Sequence, residues 1–162
     1  MLVDRRRVVV GLASLGAVGT AGRVAAGAAE GDAGAREGLP GERVLGIGGV
    51  FFRSRDPKAL ARWYQVNLGI DPVPTDYGHH GWQQAAGATA FAPFPADTDY
   101  FGAQQQCMLN FRVRSLDAMV AQLRSAGVDV KVDPQAYPNG RFARLHDPDG
   151  NAVELWEPAN PA

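Results

Sequence analysis

The sequence predicts an α+β fold built from two paired βαβββ modules, and three observations predict it. Phe52-Arg53-Ser54-Arg55 returns as Phe111-Arg112-Val113-Arg114, an offset of 59 residues. Each copy leads into an amphipathic segment that stops at a Gly-apolar pair, Gly69-Ile70 and Gly127-Val128. The chain then closes on RFARLHDPDGNAVELWEP, Arg141–Pro158, in which Asp147-Pro148-Asp149-Gly150 separates two apolar-rich runs. Pro presets one backbone angle, Asp side chains bond back to their own backbone, and Gly takes the left-handed position, so this stretch reads as a β-hairpin. A single copy is too small to bury its own core, so the two are expected to pair.

The first 28 residues have another character. Asp4-Arg5-Arg6-Arg7 precedes a weakly apolar run, Val8–Thr20, and Ala26-Gly27-Ala28 supplies a small-x-small cleavage pattern with Ala29 as the expected mature N-terminus. That is the layout of an export signal, and the paired arginines with mild hydrophobicity resemble the twin-arginine type. The apolar run is too short to span a bilayer, although an uncleaved signal would tether the protein. Export to the periplasm or beyond is therefore expected. Residues 29–42, rich in Gly, Ala and charge without apolar periodicity, read as a flexible linker.

The folded domain is expected over 43–158, with module one at 43–95, a connection at 96–106, module two at 107–158 and a tail at 159–162. Val44–Arg53 is β-branched and aromatic enough for a strand, despite Gly46, Gly48 and Gly49. Asp56-Pro57 is a helix start, and Leu60, Trp63, Tyr64 and Leu68 recur at helical spacing before Gly69, which predicts a helix over Pro57–Leu68. Ile70–Gly78 reads as a proline-interrupted edge strand, and Gly81–Ala86 with Thr89–Phe94 as a hairpin around Gly87. Pro95–Gln106 has no periodicity. Its Tyr100, Phe101 and Gln104–Gln106 belong to a connection long enough to cover neighbouring surface. Module two repeats the scheme: a strand at Cys107–Arg114, a Ser115-capped helix ending at Gly127, a strand at Val128–Val132 and the closing hairpin.

Composition excludes several partners. The formal net charge over 162 residues is −1, which gives no attraction for nucleic acid or an anionic membrane. Cys107 is the sole cysteine, so an intrachain disulfide and a CxxC motif are both excluded, and a buried inert thiol is expected.

Three stretches in order, VFFRSRDPKALARWYQVNLGI, NFRVRSLDAMVAQLRSAGVDV and RFARLHDPDGNAVELWEP, resemble the vicinal oxygen chelate superfamily of glyoxalases, extradiol dioxygenases and bleomycin-resistance proteins. The resemblance covers about Val44–Pro158 and implies that the paired modules curl into a cup-shaped sheet around a ligand. Metal-dependent members carry ligands on the first and last strands of each module. Those positions fall here on Gly49, on or near Phe91, on Met108 and on Glu154, so one of four ligands is retained. Gly has no donor, and the Met thioether is too soft for the cations such sites use. No cofactor is therefore assigned and a divalent metal is disfavoured. Glyoxalase I and ring-cleaving dioxygenase activities are put in doubt with it.

If Gly49 and Met108 point into the cup, strand alternation sends Phe51, Arg53, Asn110 and Arg112 inward, with Phe91, Glu154 and Trp156 beside them. Val50, Phe52, Leu109 and Phe111 would then face the helices. Such a pocket suits a small organic, anionic ligand, because guanidinium groups bind carboxylate or phosphate in a fork. Alternatives stay open at each residue. Arg53 and Arg112 can equally pair with Glu154, Glu157 or solvent. Glu154 fits an ion pair, a ligand contact or general base, or a metal ligand. His79 and His80 either enter the cup as substitute base or ligand, or stay solvated; Gln83 and Gln84 straddle an expected strand, so one of them is expected to face inward, and whether a metal binds through these histidines or the glutamines stays open. His146 is expected opposite Asn151, too far from Glu154 to share a metal.

The expectation for function is an exported glyoxalase-like protein acting as an enzyme (lyase, isomerase or oxygenase-like) on a small organic substrate without the full metal quartet, with Glu154 the candidate catalytic group. The alternative is a non-catalytic protein that binds or sequesters a small molecule, of the bleomycin-resistance type. Two modules permit a monomer and do not forbid a homodimer.

Overall fold

The computed structural model describes residues 43–159 except Tyr77 and His79. The expected export signal, the linker before Arg43, the last three residues of the tail and His79 lie outside the described residues. Residues 43–52 and residues 53–159 belong to two separate compact units.

Module two forms as the repeat predicts. β1 (Leu109–Arg112) leads into α2 (Leu116–Ser125), then β2 (Lys131–Val132), β3 (Gly140–His146) and β4 (Ala152–Pro158). Ahead of them lies α1, Pro57–Leu68, whose bounds match the expected helix. The strands make one sheet in the order β1-β4-β3-β2. β1 runs parallel to β4, and the other two pairings are antiparallel. The α+β class and the family's curved, open sheet are borne out.

Both helices start and stop where local chemistry dictates. Asp56 accepts hydrogen bonds from the Lys58 and Ala59 amides at 3.1 Å, Pro57 occupies the first turn, and Gly69 ends α1 at φ 68°. Ser115 accepts from the Ala118 amide, while Asp117 and Arg124 place charges of the favourable sign at the two ends of α2. One face of the sheet packs on α2: Ala143, Leu145, Val153 and Leu155 meet Leu116, Val120, Leu123 and Val130. Leu116, Leu123, Leu145, Leu155 and Val153 are fully buried, each contributing about 1.5–3 kcal/mol by leaving water. α1 adds Trp63 and Leu68 to this core, and Gln122 on α2 donates to the Asn67 carbonyl at 3.0 Å.

The β3–β4 turn is held by one buried carboxylate. Asp147 accepts from the backbone amides of Asp149 and Asn151, both at 2.9 Å, and from Asn151 Nδ2 at 2.7 Å. Gly150 takes φ 84° there, as the turn requires. The fourth donor to Asp147 is Tyr64 Oη of α1, at 3.0 Å. Burial first, then the Asp147 charge, push the Tyr64 phenol well above its usual pKa. Arg55 adds an exposed bridge to Asp149 at 3.0 Å.

Four expected strands in module one do not form a ladder: Val44–Arg53, Ile70–Gly78, Gly81–Ala86 and Thr89–Phe94 carry no strand among the described residues. The physical reason lies in the same residues. Gly46, Gly48 and Gly49 weaken the first, Pro72 and Pro74 remove amide donors from the second, and the last pair has Thr89 as its one β-branched residue. Within module two the corrections are small. β2 is two residues long and Cys107 is exposed, not buried, while His146 pairs with Ala152, next to the expected position near Asn151.

Candidate functional site

The sheet has a second face, and strand alternation puts the polar residues there. The register aligns Asn110, Glu154, Arg144 and Lys131 as one row across β1, β4, β3 and β2. The next row carries Arg112, Trp156 and Phe142. Leu109 and Phe111, on the alternate positions of β1, belong to the helix side, where Phe111 packs on the core.

Glu154 is the centre of the first row and is 4% exposed. Its Oε2 accepts from Asn110 Nδ2 at 2.9 Å. Its Oε1 accepts from Tyr100 Oη at 2.8 Å and from Arg144 Nε at 3.2 Å. Burying a carboxylate is costly unless it is paired and bonded, and these three donors supply both conditions. The Tyr100 phenol is in turn raised above its usual pKa, first by burial and then by the Glu154 charge.

Arg144 is the second hub. Besides Glu154, its Nη1 donates to the Tyr100 carbonyl at 2.9 Å, and its guanidinium carbon lies 4.0 Å from the Tyr100 ring centroid. Nη2 is buried and has no acceptor. Phe94 stacks on Tyr100 with centroids 5.0 Å apart, and Phe101 meets Phe94 edge-on at 5.8 Å.

In the second row Phe142 and Trp156 lie nearly parallel, 6.3 Å apart, and Trp156 Nε1 donates to the Asn139 carbonyl at 2.8 Å. Arg112 turns its fork on backbone oxygens: Nη1 to Ala86 at 3.0 Å and Nη2 to Ala85 at 2.7 Å. Gly87 permits this approach, since a Cβ there would lie within 1.5 Å of Arg112 Nη1. A groove of about 180 Å³ runs along β2 and β3, lined by Lys131, Val132, Asp133, Pro134, Phe142, Ala143 and Arg144.

The sheet thus brings Asn110, Arg112, Glu154 and Trp156 to one face. It does not bring Phe91, which is 87% exposed, and Arg53 is also exposed. Phe51 belongs to the other unit and is solvent-exposed. His80 and Gln84 are exposed, and Gln83 donates to the Gly81 carbonyl at 3.3 Å. Arg144, Phe142 and Lys131 were not anticipated. Counting outward from the turn, with Asp147 and Asn151 closing it, would have placed Arg144 opposite Glu154.

The metal implied by the resemblance does not fit these residues. Gly49 and Phe91 have no donor, Met108 offers only a thioether, and the one carboxylate is held by Arg144, whose positive charge opposes a cation at Glu154. Among the described residues no cluster of three His, Cys, Asp or Glu side chains is placed to hold a metal ion.

The glyoxalase-like domain family model matches residues 49–156, and the chain belongs to that family. This bears out the resemblance to the vicinal oxygen chelate superfamily. No curated protein sequence matches the chain. Solved structures similar to it include an antibiotic-binding protein from Streptomyces sp. CB03234, at 29% identity over 64% of this chain and 88% of that one, with a TM-score of 0.41. A glyoxalase/bleomycin resistance protein from the same source is similar at 26% identity, 63% and 91% coverage, and a TM-score of 0.43. A fosfomycin resistance protein from Listeria monocytogenes shares 22% identity over 37% of this chain and 52% of that one, with a TM-score of 0.30.

Proposed function

We propose that this glyoxalase-like protein is a non-catalytic binder of a small organic molecule, held on the polar and aromatic face of the module-two sheet. The observation that carries this reading is the state of Glu154. Both of its oxygens are engaged by Tyr100, Asn110 and Arg144, so the carboxylate at the family's ligand position is committed to an ion pair. A metal ligand needs a lone pair directed at the ion, and the Arg144 charge beside Glu154 opposes one there. The same face carries the Phe142–Trp156 pair, both nearly buried, beside the partly exposed guanidinium of Arg144, a combination suited to an aromatic ligand once that face is uncovered. This favours the sequestering alternative over the enzyme. The basic cluster and small-x-small pattern of the first 28 residues support export by the twin-arginine route, which suits capture of a compound outside the cytoplasm.

The test is metal analysis of protein purified without added metal, with binding of aromatic acids measured before and after chelator treatment. Binding that chelator leaves unchanged, in protein with only trace metal, is the expected result. A stoichiometric Ni, Zn, Fe or Mn content would overturn the reading.

A further inference from the structure

The proposed ligand site has an internal occupant, and the inference drawn from it rests on that reading of the face. Tyr100 lies in the connection 95–106, which contains no helix or strand. Its ring lies 4.0 Å from the Arg144 guanidinium carbon, stacks on Phe94 at 5.0 Å, and donates its hydroxyl to Glu154 at 2.8 Å. A cation on the ring, an apolar partner and a carboxylate for the hydroxyl are what a separate phenolic molecule would require. The anchor is incomplete even so. Arg144 Nη2 is buried without an acceptor, a situation that an incoming oxygen would relieve.

The size of the adjoining groove points the same way. At about 180 Å³ it falls below the roughly 300–1,000 Å³ of pockets that enclose drug-sized molecules, so such a ligand needs room beyond the groove, and Tyr100, in contact with the groove residue Arg144, is the side chain whose departure would supply it. Besides the Tyr100 hydroxyl, two bonds tie the connection to the sheet and its hairpin turn. Arg144 Nη1 bonds the Tyr100 carbonyl, and Gln105 Nε2 bonds the Gly150 carbonyl at 3.0 Å.

We propose that the 95–106 connection is a gate whose Tyr100 side chain stands in for the ligand. The incoming molecule is a hydroxylated arene carrying a carbonyl or carboxylate oxygen. Its hydroxyl takes the place of Tyr100 Oη on Glu154, its ring replaces the Tyr100 ring against Arg144, and its oxygen accepts from Arg144 Nη2.

The probes are p-cresol, which is the tyrosine side chain itself, and 4-hydroxybenzoate, which adds the oxygen acceptor. Both are titrated calorimetrically into the full chain, into Tyr100→Gly and into Tyr100→Phe, with folding checked by near-ultraviolet circular dichroism. Tyr100→Gly is expected to bind both probes at least about tenfold more tightly than the parent, because no internal ring competes for the site. Adding Arg144→Lys should remove most of the gain for 4-hydroxybenzoate, since a point charge cannot reproduce the guanidinium fork. Tyr100→Phe keeps the ring but loses the Glu154 bond, so its affinity should lie between the two. If the glycine variant fails to fold, this phenylalanine variant decides, and no gain in it overturns the gate. Equal binding by parent and Tyr100→Gly overturns the gate while leaving a ligand site on this face intact. No binding by folded Tyr100→Gly overturns the gate and the site together.

Discussion

Arg144 donates from Nε to Glu154 Oε1 at 3.2 Å from the directly opposite position on the neighbouring strand. The side chains are 28% and 5% exposed, so the pair sits where water screens it little. Removing one partner strands the other. Arg144→Met should therefore destabilise the protein by about 2–4 kcal/mol, somewhat under the roughly 3–5 kcal/mol for breaking a fully buried pair because Arg144 is partly solvated. Glu154→Gln keeps the oxygen that accepts from Tyr100 Oη, while its amide nitrogen faces Asn110, whose own amide can turn to accept from it, and it should cost less. Urea unfolding of the two variants, ranked by midpoint at constant slope, checks the order. A larger loss for Glu154→Gln would contradict it.

Gly87 and Arg112 are coupled by contact. Gly87→Ala puts a Cβ into the Arg112 guanidinium and forces a side chain onto a backbone at φ 149°. A loss of about 1–3 kcal/mol is expected from the backbone alone, with more from the displaced arginine. In an Arg112→Ala background part of that loss should vanish. A double-mutant cycle with no coupling would show that the guanidinium is not seated against Ala85–Gly87 in solution.

Two phenols should titrate late. Burial, followed by the charges of Asp147 and Glu154, raises Tyr64 and Tyr100 above their usual values. A phenol raised in the folded state contributes stability that is complete below its unfolded pKa of about 10 and is lost as pH climbs through the folded value. Absorbance at alkaline pH should thus show these two ionising above the ordinary phenol range, the later one together with loss of tertiary signal. Tyr64→Phe and Tyr100→Phe should each delete one late transition. If both titrate near pH 10 in the folded protein, their burial against the carboxylates is wrong.

Asp147→Ala removes the acceptor of two turn amides, the Asn151 side chain and Tyr64 Oη. Each orphaned buried donor costs about 1–3 kcal/mol, less where water reaches the turn, so a total near 3 kcal/mol is expected. Thermal unfolding measures it. A shift no larger than that of Tyr64→Phe alone would mean that the turn holds itself.

The sequence was informative where structure is local. Asp56-Pro57 and Gly69 fixed both ends of α1, and Asp147–Gly150 fixed the hairpin, because caps and turns are decided by a few adjacent residues. Alternation on β4 put Glu154 and Trp156 on one face and Val153 and Leu155 on the other, as the burial of the core bears out. Module one was harder to read. The apolar content of Val44–Arg53 argued for a strand, while its three glycines argued against, and periodicity has no means of weighing the two. Arg144 was missed for another reason: its importance comes from a cross-strand register, not from its neighbours in sequence. For Arg112 the sequence left a choice between an anionic ligand and a partner in Glu154, Glu157 or solvent. It is instead spent on the Ala85 and Ala86 carbonyls, a pairing that depends on a loop lacking any sequence signature.

The Tyr64–Asp147 bond joins residues 83 positions apart. The hairpin that presents Asp147 needs only neighbouring residues, so it can close in microseconds, whereas bringing α1 to it requires closing a long loop against chain entropy. α1 docking then belongs to the late side of the folding barrier. Tyr64→Phe should accelerate unfolding and leave the folding rate nearly untouched, which stopped-flow chevrons can read. The first half of the repeat, with no strand among its described residues, would keep its helix in place through a bond made after the second half is already built.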